Sequence, residues 1–131
     1  MRQEIVGRIG CTGERGVYIV PIAFAYDGTF VYCYSSDGEK LKNMRTNPSV
    51  CFEVDRVDDV THWRSVIAWG TFEELDEPAS SDAVERLSRR LRAYAPSENV
   101  RAMQSYVFRA GEYGVAYRIR LHEKRGRSEQ A

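Results

Sequence analysis

Cysteine is scarce in this chain and odd in number. Cys11, Cys33 and Cys51 stand inside strand-like runs, without Cys-x-x-Cys spacing. That argues against a disulfide framework and a cysteine-built zinc site, and leaves three free thiols of the kind a reducing cytoplasm keeps. Histidine is scarcer still: His62 and His122 lie far apart, neither with acidic or cysteine neighbours at metal-ligand spacing, so no metal is expected. There is no excess of either charge, with 19 Lys+Arg against 19 Asp+Glu, and nothing global draws the chain to nucleic acid or an anionic membrane. No apolar run is long enough to span a bilayer, and Met1–Glu4 lacks the apolar core of a signal peptide; a cytoplasmic protein is expected. Gly-x-Gly-x-x-Gly, a Walker loop and a recognisable nucleophile setting are all missing, as are repeats and low-complexity tracts.

What is present reads as one globular domain over residues 1–123 with a charged tail over 124–131. Hydrophobic residues make up 43% and charged ones 29% of its 131 residues, enough for a real core. Residues 5–11 form a short strand whose glycines imply close backbone packing. Residues 17–26 are apolar on both faces, so both faces are expected to be covered. Pro21 inside that run marks an edge, a bulge or an interrupted ladder. Asp27-Gly28 signals a hairpin that returns residues 29–35 as the partner strand. Further strands are expected over 50–57, over 63–75 with a kink or bulge at Gly70, and over 113–122. A helix opens at Pro78–Asp82 with a capping-box-like Asp82 and Glu85. It lines Val84, Leu87, Leu91 and Tyr94 on one side, with arginines 86–92 on a solvated face. Residues 98–112 read as a short helix leading into a loop. About six antiparallel strands with helical connections predict a mainly β fold, a barrel with α additions, ahead of an all-β sandwich. A parallel Rossmann sheet is disfavoured because hairpins outnumber crossovers.

The stretch Tyr34–Pro48 concentrates chemistry. A strand runs into Ser35, Ser36 and Asp37-Gly38, then into a cationic helix over 40–46 that Asn47-Pro48 stops. Leu41 and Met44 share a face, and Ser36 or Asp37 is placed to cap the first free N–H groups. Such a corner gathers unpaired N–H groups, a positive dipole end, hydroxyls and the Lys40 ammonium, which suits a phosphate. An ordinary capped helix with a solvated basic face would read the same way.

Over residues 7–75 the chain resembles the pyridoxamine-5′-phosphate-oxidase-like FMN-binding split barrels, and within them the short bacterial branch of nitroimidazole-resistance proteins. The matching residues are Gly7-Arg8-Ile9-Gly10, then Val20-Pro21-Ile22 with Phe24, Tyr26 and Asp27-Gly28. They continue through Ser36-x-Gly38-x-Lys40-Leu41-x-Asn43 and Asn47-Pro48-x-Val50-Cys51-Phe52-Glu53-Val54 to Trp63-x-Ser65-Val66 and Gly70. The resemblance implies a six-stranded antiparallel split barrel that dimerises, with FMN in a groove at the dimer interface. Carried onto this sequence, the cofactor-binding set is Val20, Pro21, Ile22, Tyr34, Ser35, Ser36, Lys40, Leu41, Trp63, Arg64, Ser65 and Val66. Ser35, Ser36 and Lys40 would take the phosphate, Val20–Ile22 would wall the ring, Ser65 would reach the phosphate or ribityl chain with Arg64 adding charge, and Trp63 would cover the ring or the interface. The longer C-terminal region of true pyridoxamine 5′-phosphate oxidases, with its Arg and His substrate positions, is missing, so that specific activity is not expected. Only Met1–Glu4 stand where the family usually has an N-terminal helix.

The leading expectation is therefore an FMN-dependent oxidoreductase acting on a small molecule, with the flavin carrying the chemistry. Tyr34, Tyr18 and His62 are the candidate proton donors. The alternatives are a non-catalytic flavin carrier or sensor, or a split barrel that holds haem, through His62 or His122, or F420.

Overall fold

A computed structural model of the protein describes residues 4–94 and 114–130. In chain order the elements are β1 (Val6–Gly13), β2 (Gly16–Ala23), β3 (Ala25–Tyr26), β4 (Phe30–Ser36), α1 (Glu39–Thr46), β5 (Ser49–Asp59), β6 (His62–Glu74), α2 (Ala79–Tyr94) and β7 (Gly114–Gln130). The strands form one antiparallel sheet in the order β2-β1-β5-β6-β7-β4-β3. There are seven strands rather than six because the apolar run over 17–26 breaks at Phe24. Its two pieces occupy opposite edges of the sheet, so the chain itself carries one edge across to the other and the sheet curls into a barrel. Phe24 is fully buried at this crossing. Its N–H donates to the Ile5 carbonyl at 3.0 Å, and its ring meets Phe52 edge-on at 4.9 Å.

Alternation fills the interior. Ile9 and Cys11 of β1, Val31 and Cys33 of β4, Val50, Phe52 and Val54 of β5, and Tyr117 and Ile119 of β7 all point inward. Leu41 and Met44, three apart on α1, enter the same core, so this short helix plugs the barrel. On the outside, α2 lays Ala83, with Val84 beside it, over Tyr32 and Ala116 of β4 and β7. The β3–β4 turn places Gly28 and Thr29 at its centre, one residue beyond the Asp27-Gly28 pair expected. Gly28 takes φ +104°, and Asp27 Oδ1 accepts from the N–H groups of Thr29 and Phe30 at 2.9 and 2.8 Å.

Several expectations need correction. Of the expected tail over 124–131, residues 124–130 are strand: β7 runs on through Gln130, paired with β6 from Ala68↔Lys124 to His62↔Gln130. The reason is that the first half of β6 extends past the barrel and supplies a partner, so the strand continues while solvated on both faces. Neither Ser36 nor Asp37 caps α1; the N-cap is Gly38, with no side-chain cap hydrogen bond. Helix α2 starts at Ala79, and Glu77, rather than Asp82, gathers the hydroxyls of Ser80 and Ser81 at its start. The outer face of β2 is uncovered in the single chain, with Val17 75% and Ile19 66% exposed. The expected helix over 98–112 lies outside the described residues.

The bulge at Gly70 is present as a register shift against β7, where His122 is the extra residue. A Cβ on Gly70 would collide with the Arg120 carbonyl oxygen and Ile119 Cγ2, whereas one on Gly10 would meet Cys51 Cβ at an ordinary 3.7 Å. Gly70→Ala is therefore expected to cost roughly 2 kcal/mol of stability, and Gly10→Ala close to nothing. Denaturant melts of the two variants separate these outcomes.

Candidate functional site

The barrel has a seam. β3 pairs with β4 as Ala25↔Tyr32 and Tyr26↔Val31. Continuing that register would set Ile22 against Ser35 and Pro21 against Ser36, but the ladder ends at Ala25↔Tyr32. β2 pairs instead with β1, from Val6↔Ala23 to Gly13↔Gly16, and Pro21 has no N–H to donate across the gap. β2 and β4 thus approach each other without a ladder, and α1 begins directly after β4 at the foot of the gap. β2 carries Val20, Pro21 and Ile22 on one side of the gap, and β4 with the start of α1 carries Tyr34, Ser35, Ser36 and Lys40 on the other.

Side-chain chemistry at this corner is unevenly satisfied. Ser36 is exposed, whereas Ser35 points inward, 3% exposed, and its Oγ has no hydrogen-bond partner among the described residues. The buried Tyr117 hydroxyl stands beside Cys33 and Ser35, and burial drives its phenol well above its ordinary range. Burial also pushes the Cys33 thiol up to about 12, so it is inert. Lys40 is half-buried, and its ammonium makes no ion pair among the described residues; desolvation lowers its pKa, opposed by the nearby thiols of Cys33 and Cys11. Leu41 is fully buried, so only its backbone faces the corner. The first N–H groups of α1 stay uncapped, which leaves a positive dipole end beside Lys40, although Glu39 in the first turn opposes it. Arg45 bridges two carboxylates, donating from Nη1 to Asp37 at 2.9 Å and from Nε to Glu74 at 2.6 Å.

The remaining expected residues are elsewhere in the chain. Trp63, Arg64, Ser65 and Val66 stand on β6, with β1 and β5 between them and β2, and β7 between them and β4. Trp63 Nε1 donates to Glu129 at 3.1 Å on the arm that extends past the barrel. Tyr34 packs on the outer side with Val84 and Leu75, and burial raises its phenol pKa. Tyr18 packs against the core. His62 belongs to a hairpin tip, its Nδ1 2.9 Å from Asp59 Oδ1. No group of His, Cys, Asp and Glu among the described residues could hold a metal ion, and no helix among them is long and apolar enough to cross a membrane.

Sequence reasoning missed a groove of about 560 Å3 on the outer face, where Val17 and Ile19 of β2 face Gly10, Cys51, Trp69 and His122. In register, Ile19, Gly10, Cys51 and Trp69 form one row across four strands, with the glycine leaving a dent. The alternation of Val17 and Ile19 with inward residues was the available signal. His122 Nε2 lies 2.7 Å from Thr71 Oγ1 at one end of it.

A curated relative, an uncharacterised protein of Rhizobium meliloti (strain 1021), is 36% identical over 70 residues, 53% of this chain and 46% of that protein. Among solved structures, an FAD-binding protein of Mesorhizobium loti superposes with a TM-score of 0.76 at 25% identity, covering 99% of this chain and 88% of that one. A candidate 5-nitroimidazole antibiotic resistance protein of Bacteroides thetaiotaomicron gives 0.70 at 19% identity, with 95% and 76% covered, a likeness of fold. The family described as pyridoxamine 5′-phosphate oxidase matches residues 1–128. With its curled antiparallel sheet open along one seam, the chain belongs to that family of split barrels.

Proposed function

We propose that the chain binds FMN and serves as a flavin-dependent oxidoreductase for a small molecule. The observation that carries this reading is the half-buried Lys40 ammonium, without an ion pair among the described residues, beside a helix N-terminus that has no side-chain cap. An uncompensated charge of this kind lowers stability, and a monoester phosphate would compensate it. Ser36 and the first N–H groups of α1 would complete the phosphate contacts. Along the seam the strand edges at Val20–Ile22 offer an apolar wall and backbone groups for a flat polar-edged ring. Bound there, the flavin would supply hydride or electron transfer, while the protein positions it and excludes water. The FAD-binding relative of Mesorhizobium loti supports a flavin in general. A single ammonium at the corner suits one phosphate better than two.

The same reading calls for a homodimer. Trp63, Arg64, Ser65 and Val66 sit on the wall away from the seam, so they reach a ligand there only from a second copy. The exposed row of Val17, Ile19 and Trp69 on the outer face is the kind of apolar surface that association covers. A flavin carrier without turnover is the second reading, favoured by the position of the candidate proton donor Tyr34, whose ring packs on the outer side with Val84 and Leu75. Reduction of the bound flavin by NADPH, with a substrate reoxidising it, separates enzyme from carrier.

Two outcomes test the site. Lys40→Met is expected to weaken FMN about tenfold or more in a fluorescence titration, the scale of a lost charge-assisted hydrogen bond. It should also stabilise the ligand-free protein by on the order of 1 kcal/mol at neutral pH. The sign follows from linkage: a lysine whose folded pKa lies below its unfolded value penalises folding wherever it is charged, and the penalty fades as pH rises through the folded pKa toward 10.5. Unchanged affinity removes Lys40 from the site. For the dimer, Cys51 on the outer face is half-exposed in one chain. Its reaction with a thiol reagent should slow as protein concentration rises through the dimer's dissociation range, tracked by sedimentation. A monomeric mass with concentration-independent labelling overturns the dimer.

A further inference from the structure

Asp27, Asp59 and Asp37 each directly precede a bend or turn of the backbone, and only the first two behave alike. Asp27, before Gly28, folds its carboxylate onto the N–H groups two and three residues on, at 2.9 and 2.8 Å. Asp59 does the same to the Thr61 N–H at 2.8 Å. Asp37 stands one residue before the N-cap Gly38 of α1, with the Glu39 and Lys40 N–H groups two and three residues on, the same spacing that Asp27 uses to fold back. Instead its Oδ1 accepts from Arg45 Nη1 at 2.9 Å, and α1 has no side-chain cap. Arg45 is in turn anchored at the far side by Glu74 of β6, at 2.6 Å. The guanidinium sits in the last turn of α1, so the carboxylate is drawn along the helix and away from its N-terminus.

We propose that Arg45 is a positioning residue for the flavin-phosphate corner: by holding Asp37 aside, it keeps the N-terminal N–H groups of α1 open to an incoming anion. Released, Asp37 would cap those groups itself and bring a negative charge to the place a phosphate must occupy. The residue touches no ligand in this arrangement; it acts through Asp37. The inference rests on the reading of the corner as a phosphate site. Lys40 supplies the attraction there, and Arg45 removes the competitor. Glu39 in the same first turn is unchanged in every variant compared below.

The test uses the full chain with FMN and with riboflavin, which lacks the phosphate. Arg45→Met should weaken FMN by about tenfold while leaving riboflavin within twofold. Adding Asp37→Ala to Arg45→Met should restore FMN to within about twofold of wild type, because the competing carboxylate is gone. If the double variant binds FMN as weakly as Arg45→Met alone, Arg45 has a merely structural or directly binding role and the inference falls. If Arg45→Met has no effect on FMN, it falls as well. A second measurement needs no ligand. In 15N-labelled protein, Arg45→Met should shift the Glu39 and Lys40 amide resonances, and Asp37→Ala in that background should reverse the capping component. Amides that do not move show that Asp37 never folds back, and that overturns the proposal. Failure of the phosphate reading is distinguishable: the wild type would then prefer FMN over riboflavin by nothing, whatever the amides do.

Discussion

The passage of the chain through Phe24 governs this structure. A curled sheet must solve the problem of its two edges, and here the polypeptide solves it covalently, running from the β2 edge to the β3 edge in a single residue. Burying the Phe24 ring against Phe52 fixes the angle of that crossing. Because the crossing is a corner rather than a ladder, the two edges diverge from it, and the gap they leave is the seam. The proline three residues before the corner keeps the gap from zipping shut, since it removes a donor that a ladder would need. Closure and opening are thus consequences of one local geometry.

The corner at the foot of the seam departs from the rules that the rest of the chain obeys. Elsewhere the carboxylates of Asp27, Asp59 and Glu77 meet nearby N–H or hydroxyl groups, and the core is apolar with inward alternation. At the corner the Lys40 ammonium makes no ion pair among the described residues, and the start of α1 has no side-chain cap. Local departures of this kind, within an otherwise consistent structure, are expected at functional sites, and they are what the proposed phosphate corner rests on.

Much of this was legible in the sequence because it rests on short-range patterns. The β-branched runs, Pro21, the Gly70 bulge and the Leu41–Met44 face each translate directly into the barrel, its edge, its kink and its plug. The failures share a different origin. Asp37 reads as a cap from its neighbours, but the partner that takes it stands on the last turn of the helix, and that partner's anchor is on β6. The charged segment 124–130 reads as a tail because its composition carries no core; it is a strand only because β6 extends beside it. The division of the expected site between the seam and the far wall was hidden for a related reason. Proximity in sequence motifs says nothing of how many strands lie between them.

That extension of β6 has its own dynamics. Past Val54 on β5 and from His122 onward on β7, no described side chain is buried, so the arm built from β5, β6 and β7 is held by backbone hydrogen bonds and surface contacts alone. Cooperative units of a protein follow its buried contacts. The arm and the barrel are therefore separate units: the amides of the arm exchange with solvent through openings that leave the core folded, and its ordering can be gained or lost without disturbing the closure at Phe24.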